Sequence, residues 1–391
     1  MTGFDERVIA GMSHLANGDI DAAKVLSEEL GALPPEDSTP LARAKFFEFV
    51  GNLAMIDGRA SEALDAYRFM IRYEERGGES RGGVGNSWGK IGEAYVQLRQ
   101  YDEAIEAFER GMGMMEDGGM APEFIATLNF QLAEAFLTKE EFRRAAEEFR
   151  RTITRAESMP DPGSMAFLHQ RLAMALEPLA MVEHAVGQMA AVLAELSELG
   201  ISPEGLEDTL AGFVPPEIPF TTQAIDAYTT SLRYISGADN QKRMLEILKD
   251  FGKFCREIDK ADMALELLSQ AVQLVDLTTD TGQDPADLLH ELGVTFLRAG
   301  KPEDAIASLD SALTMYDGLD IESPWTALLL ADAHSQAGRH EIAIGFLNRA
   351  QPQLGQNTDA LATMANVFEA AGELHAAQET RQILAQLENN L

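Results

Sequence analysis

The stretch Gly77-Gly78-Glu79-Ser80-Arg81-Gly82-Gly83-Val84-Gly85, followed by Lys90, comes nearest to a chemical motif in this chain. Glycines ahead of a helix can leave backbone N–H groups free to cradle a phosphate, and a following lysine adds the charge. The spacing defeats that chemistry. Five residues before Gly89 stands Val84 instead of glycine, and Ile91 occupies the place where a Ser or Thr hydroxyl would meet a metal ion. No alternating strand pattern feeds the stretch, so it reads as a flexible connection, with a helix starting near Asn86. The seven histidines (His14, His169, His184, His290, His334, His340 and His375) are dispersed. His334 and His340 fall on different faces of a turn, which is not zinc-ligand spacing. Glu140-Glu141 and Glu147-Glu148 stand beside Arg143, Arg144, Arg150 and Arg151, and read as a solvated helical face with ion pairs. No Ser-His-Asp grouping or nucleophile elbow is present in the spacing. The expectation is a protein that is not an enzyme, with no cofactor and no metal site.

What positions all of these residues is a repeat. Ala23, Ala63, Ala104, Ala145, Ala185, Ala224, Ala264, Ala305, Ala343 and Ala377 recur at intervals of about 34–41 residues, the signature of an array of stacked units. Twelve residues before each alanine stands Gly11, Gly51, Gly92, Ala133, Ala173, Gly212, Gly252, Gly293, Ala331 or Ala365. Four residues after it, most units carry a bulky apolar residue, among them Tyr67, Phe108, Phe149, Met189, Tyr228, Leu268, Leu309 and Leu347. Gly18, Gly58, Gly300, Gly338 and Gly372 precede the alanine by five. Each unit therefore reads as a helical hairpin. A small residue lets the first helix approach closely, a glycine ends that helix, and the alanine and bulky residue share one face of the second. Neither helix buries its apolar stripe alone, so neighbouring hairpins must stack.

The third repeat reads Trp88-x2-Ile91-Gly92-x2-Tyr95, then Ala104-x3-Phe108; the fourth has Leu132-Ala133-x2-Phe136 with Ala145 and Phe149; the eighth has Leu292-Gly293-x2-Phe296 with Ala305 and Leu309. This pattern resembles the tetratricopeptide repeat, in a variant with units of about 40 residues in place of about 34. The motif's usual closing proline is missing from these units. The resemblance implies an all-α fold, an α-α superhelix (solenoid) of about ten stacked hairpins. Long units of this kind resemble those of kinesin light chains, spindle-orientation scaffolds and bacterial peptide-pheromone receptors. By that resemblance the protein is expected to be a protein–protein interaction scaffold or adaptor that holds a peptide segment of a partner in a concave groove. The alternative reading is a regulatory, peptide-sensing protein whose superhelix changes pitch when ligand binds.

Family geometry places exposed residues of each first helix in that groove. Carried onto this chain, they are Lys45, Glu48 and Asn52; Asn86, Lys90, Glu93 and Gln97; Phe130, Gln131 and Glu134; Gln170 and Arg171; and Lys249, Lys253 and Arg256. The last three share one helix face and suit an acidic stretch of ligand; alternatively Glu246, Asp250 and Glu257 neutralise them locally.

Composition narrows the partner. Sixty-four acids oppose 31 bases for a net charge of −33, and residues 245–391 hold 24 of the acids against 9 bases. Such a body repels nucleic acid and anionic membrane surfaces, and suits a basic protein or peptide or simply solubility. No run approaches the roughly 18 uninterrupted apolar residues of a membrane helix, so membrane insertion is not expected, and homo-oligomerisation is left open. The first residues lack the pattern of a signal peptide, and the single cysteine, Cys255, reads as a buried small hydrophobe in a reducing compartment. The expected location is the cytoplasm. Pro215, Pro216 and Pro219 interrupt the sixth repeat between an expected first helix, Pro203 to Phe213, and Ala224. The chain accordingly divides into an N-terminal lobe of about five hairpins, 1–199, an irregular unit, 200–221, and an acidic C-terminal lobe, 222–391. That irregular unit is either a hinge or a rigid odd turn.

Overall fold

In the computed structural model the chain is described at residues 3–31, 34–35, 38–158, 160–198, 213–236, 240–275 and 283–388. Among these, every regular element is a helix: α1 Gly3–Ala16, α2 Ile20–Leu30, α3 Pro40–Ile56, α4 Ala60–Gly77, α5 Arg81–Gln97, α6 Tyr101–Asp117, α7 Pro122–Thr138, α8 Phe142–Ala156, α9 Pro162–Glu198, α10 Phe220–Ile235, α11 Gln241–Glu257, α12 Ala261–Leu274, α13 Gln283–Arg298, α14 Pro302–Gly318, α15 Pro324–Gln336, α16 His340–Leu354, α17 Thr358–Ala370 and α18 Leu374–Glu388. Within each unit consecutive helices pair as hairpins that pack on their neighbours, the arrangement of an all-α repeat solenoid. The chain forms two compact units: Met1–Val182 with Pro215–Ser231, and Glu183–Val214 with Leu232–Leu391.

The repeat rule holds at atomic level. A Cβ on Gly51 would lie 2.4 Å from the Tyr67 ring, one on Gly92 2.4 Å from the Phe108 ring, one on Gly252 2.7 Å from Leu268, and one on Gly293 2.5 Å from Leu309. The bulky residue sixteen positions on thus fills the space that a side chain at the small residue would need. Nine of the ten alanines are buried, from Ala23 at 0% to Ala377 at 2% exposure. Between the helices of a hairpin, the residue five before the alanine takes the left-handed conformation: Gly58 has φ 73° and Gly300 has φ 68°. Arg99, Glu140 and Asp259 hold the same place at φ 58°, 61° and 57°, a conformation that costs a residue with a Cβ about 1–2 kcal/mol.

The glycine-rich stretch is not a flexible connection. Ser80 caps α5, its hydroxyl accepting from the Gly83 N–H at 3.0 Å, and the helix runs from Arg81 rather than from Asn86. Its glycines are packing sites: a Cβ on Gly85 would meet the Gly111 carbonyl oxygen at 2.6 Å. The close approach of α5 to α6 makes the glycines helical despite their poor propensity.

The fifth repeat departs furthest from expectation. No turn follows Ala173; α9 continues for 37 residues, with Pro178 inside it, and Ala185 is exposed. The first half of α9 pairs instead with α10. Ser231 Oγ donates to the Ala166 carbonyl at 2.6 Å, the Tyr228 hydroxyl donates to Glu177, and Ala224 and Tyr228 are fully buried. The second half presents Val182 and Val192 to solvent at 54% each. By length and composition alone α9 is apolar enough to cross a membrane, with a mean hydropathy of 1.3 over its most apolar window. Along the same stretch His184 and Gln188 bond the Asp259 carboxylate at 3.1 and 2.8 Å, at the turn between α11 and α12. Most of the expected helix Pro203 to Phe213 lies outside the described residues; Phe213 itself is not helical.

Candidate functional site

In the first unit the first helices of successive hairpins, α3, α5, α7 and α9, align their exposed residues into a ladder. On α3, Asn52 Oδ1 accepts from the Tyr67 hydroxyl at 2.9 Å and from Lys90 Nζ of α5 at 3.3 Å, while Glu48 lies 3.5 Å from Lys90. Gln97 of α5 donates weakly to the Met55 carbonyl at 3.5 Å. Gln131 of α7 donates to Glu93 of α5, and Arg171 of α9 grips Glu134 of α7 through two nitrogens, the Nε contact at 2.6 Å. Partners on neighbouring first helices sit 37, 38 or 42 residues apart because equivalent helix faces recur once per repeat.

Between the C-terminal ends of α5 and α7 this face opens into a recess of about 440 Å³. Its polar edge is Glu93, Gln97, Gln131, Glu134 and Thr138; its apolar wall is Met55, Val96, Tyr101, Phe108, Phe130 and Ala135. Five of the sequence-derived positions, Glu93, Gln97, Phe130, Gln131 and Glu134, therefore converge here. The Gln131 amide donates through its nitrogen, whereas its Oε1 is buried without a hydrogen-bond partner. A buried acceptor left in that state costs about 1–3 kcal/mol until a donor reaches it. Tyr101 and Phe108 come from α6 and were not among the sequence-derived positions, because the repeat pattern assigns Phe108 to the core. Their signal was available in the spacing: Tyr101 opens the second helix, directly behind the groove edge of the first.

Other sequence-derived positions lie apart from the recess. Lys45 lines a separate hollow with Asp5, Val8 and Leu41, Asn86 is exposed on α5, and Gln170 is buried at 5% exposure. Of the cations on α11, Lys253 and Arg256 both bond Glu291 of α13, at 2.7 and 2.6 Å, and Arg256 also reaches Glu257 at 3.2 Å. Arg256 retains only 10% side-chain exposure. Burial works against the Glu291 carboxylate, but the bonds from Lys253 and Arg256 outweigh it and hold its pKa below the usual value. Lys249 points elsewhere, toward a hollow shared with Lys242, Glu246 and Asp284. Lys253 and Arg256 thus share an acid of the next hairpin, and Arg256 has the local partner Glu257 as well.

Glu148 also departs from its expected solvated face. It is 7% exposed, accepts from Asn129 Nδ2 at 2.5 Å and pairs with Arg151, while burial raises its pKa. Cys255 is fully buried, and among the described residues no cluster of His, Cys, Asp or Glu is arranged to hold a metal ion.

Hairpins with a shared inner face and a recess between their first helices define a repeat scaffold. Two family models, each described as tetratricopeptide repeat, match residues 85–114, over α5 and α6, and residues 296–367, from the end of α13 into α17. Over these two segments the chain carries tetratricopeptide repeats, within an all-α solenoid. Among solved structures, the apo form of RapI matches over 99% of this chain and 97% of its own at 10% identity, with a TM-score of 0.58. A putative kinesin light chain from Podosopora anserina with nearly identical TPR-like repeats matches over 62% of this chain and 98% of its own, at 15% identity and a TM-score of 0.45. The apo form of the quorum sensor NprR from B. thuringiensis covers 99% of this chain and 89% of its own, at 11% identity and a TM-score of 0.39. RapI carries the likeness of fold. No curated protein matches the chain by sequence.

Proposed function

We propose that the protein is a cytoplasmic interaction scaffold that holds a peptide segment of a partner protein on the inner face of its first unit, across α5 and α7. The observation that carries this reading is the recess itself, with the buried and unpartnered Gln131 Oε1 at its edge. A peptide backbone N–H is the natural donor for such an oxygen once the amide turns into the recess, and Phe130 and Val96 offer apolar contact to a neighbouring side chain. Glu93 is engaged by a neutral amide instead of a cation, so a Lys or Arg of the ligand fits beside it. A basic segment also agrees with the net charge of −33.

Selection of peptides from a random display library against the full chain tests the reading. Selected peptides are expected to carry a basic residue beside an apolar one, and to lose at least tenfold in affinity for Gln131→Ala and for Phe130→Ala. Affinity should fall as salt rises from low to physiological, because a Debye length of about 8 Å screens exposed charge. Peptides that bind both variants as tightly as the parent would place the site elsewhere.

A further inference from the structure

The proline-broken segment before α10 has a consequence separate from the inner face. In most hairpins the second helix starts a few residues after the first ends. Here the chain enters α10 through Pro215, Pro216 and Pro219, which cannot continue a helix. The segment leaves a recess of about 620 Å³ on the first unit, walled by α8, α9, α10 and residues 216–218. That volume lies within the range of about 300–1,000 Å³ usual for small-molecule sites. Leu172, Leu176 and Ala227 form its buried floor, and Pro216 and Ile218 its apolar wall. His169, Leu172 and Leu176 recur at helical spacing on one face of α9, whereas the ladder residue Arg171 is turned toward Glu134 of α7.

Arg150 of α8 is the cation of this recess. Its guanidinium donates to the Gln223 amide oxygen, and the Gln223 nitrogen donates to the Ile218 carbonyl at 2.6 Å, so this relay ties the proline segment to α8. Among the described residues no carboxylate lies within ion-pairing distance of Arg150, unlike its neighbours Arg144, Arg151 and Arg155, which pair with Glu141, Glu148 and Glu116. A guanidinium with spare donors beside an apolar floor matches a carboxylate on an aliphatic body. Asp226 and Glu217 at the same recess disfavour a multiply charged anion such as phosphate and favour a ligand that also carries a hydrogen-bond donor.

We propose that this recess binds a small aliphatic amino or hydroxy acid, its carboxylate on Arg150 and its branched body on Leu172, Leu176 and Ile218. The site is independent of the peptide face, since it shares no residue with the recess at Gln131. Calorimetric titration of the full chain with leucine, isocaproate, isocaproamide and inorganic phosphate tests it. Leucine is expected to bind tightest and isocaproate, which lacks the amino donor, more weakly, with the neutral amide and phosphate at least tenfold weaker than isocaproate. Arg150→Gln should abolish that preference with at most a small drop in melting temperature, because only its bond to Gln223 is lost, and Gln131→Ala should leave it intact. Equal binding of isocaproate and its amide, equal binding by Arg150→Gln, tighter binding of phosphate, or no binding by any probe would each overturn the assignment.

Discussion

Both compact units place charged residues on the first helices of successive hairpins, and in both these residues meet across the repeat, yet the two faces end differently. In the second unit Glu291 takes Lys253 and Arg256 together, and with side-chain exposures of 16% and 10% the Glu291–Arg256 pair is almost withdrawn from solvent. In the first, Glu93 is met by a neutral amide and Gln131 Oε1 is left without a partner. The same periodicity therefore builds a closed ion-pair cluster in one unit and an unfinished hydrogen-bonding edge in the other. What separates them is the type of residue one repeat further along, not the position on the helix.

Removing one arginine from each ladder gives the largest contrast. Arg256→Ala leaves the largely buried Glu291 with Lys253 in place of two cations and should cost about 2–3 kcal/mol, whereas Arg171→Ala frees a half-exposed Glu134 and should cost about 1 kcal/mol. Denaturant titration of both variants measures the difference, and equal costs would erase the distinction between the faces. Arg256 is then a residue of stability, and peptide affinity should not depend on it.

A smaller effect separates the close contacts. Gly92→Ala drives a methyl into the flat, rigid Phe108 ring and should cost about 2–3 kcal/mol; Gly293→Ala meets the smaller, branched Leu309 and should cost about 1 kcal/mol. Thermal melts that rank these two in the opposite order would show that the second unit is the more rigidly packed.

The smallest effect lies in pH. Burial raises Glu74 to about 7 although the Ser87 hydroxyl donates to it at 2.8 Å, so its contribution is full below its unfolded value of 4.5 and lost as pH rises through 7. Glu291 is shifted the other way, and its contribution is full above 4.5 and lost as pH falls through its lowered native value. Glu74→Gln should therefore gain melting temperature over the parent at pH 8 and lose that gain near pH 4. Glu291→Gln should be destabilised at pH 8, with the gap closing in acid. Parallel pH profiles for the two variants would remove the contrast.

The alanine register was legible because the contact that selects it, a small residue against a bulky one sixteen positions later, is local in sequence. The left-handed turn position was legible only where glycine marks it. Arg99, Glu140 and Asp259 adopt the same φ because the two packed helices impose it, and no residue type announces that. Ala173, Ala185 and Met189 satisfy the fifth repeat by spacing, but no glycine stands where the turn belongs; Ala180 does, and a run of good helix formers carries α9 onward. Groove positions on the first helices could be read from the pattern. Their partners could not, since whether Gln131 meets Glu93 or Lys253 meets Glu291 depends on how one hairpin seats on the next.

The long α9 alters the order in which the chain can assemble. An ordinary hairpin closes between residues such as Gly92 and Phe108, sixteen apart, whereas the fifth joins Ala166 to Ser231 across 65. Two doublings of loop length add about 1.2 kcal/mol of closure entropy, so α10 should reach α8 and α9 after its neighbours have formed. The recess at Arg150 is on this account the last part of the first unit to be completed, and the first that a destabilised chain gives up.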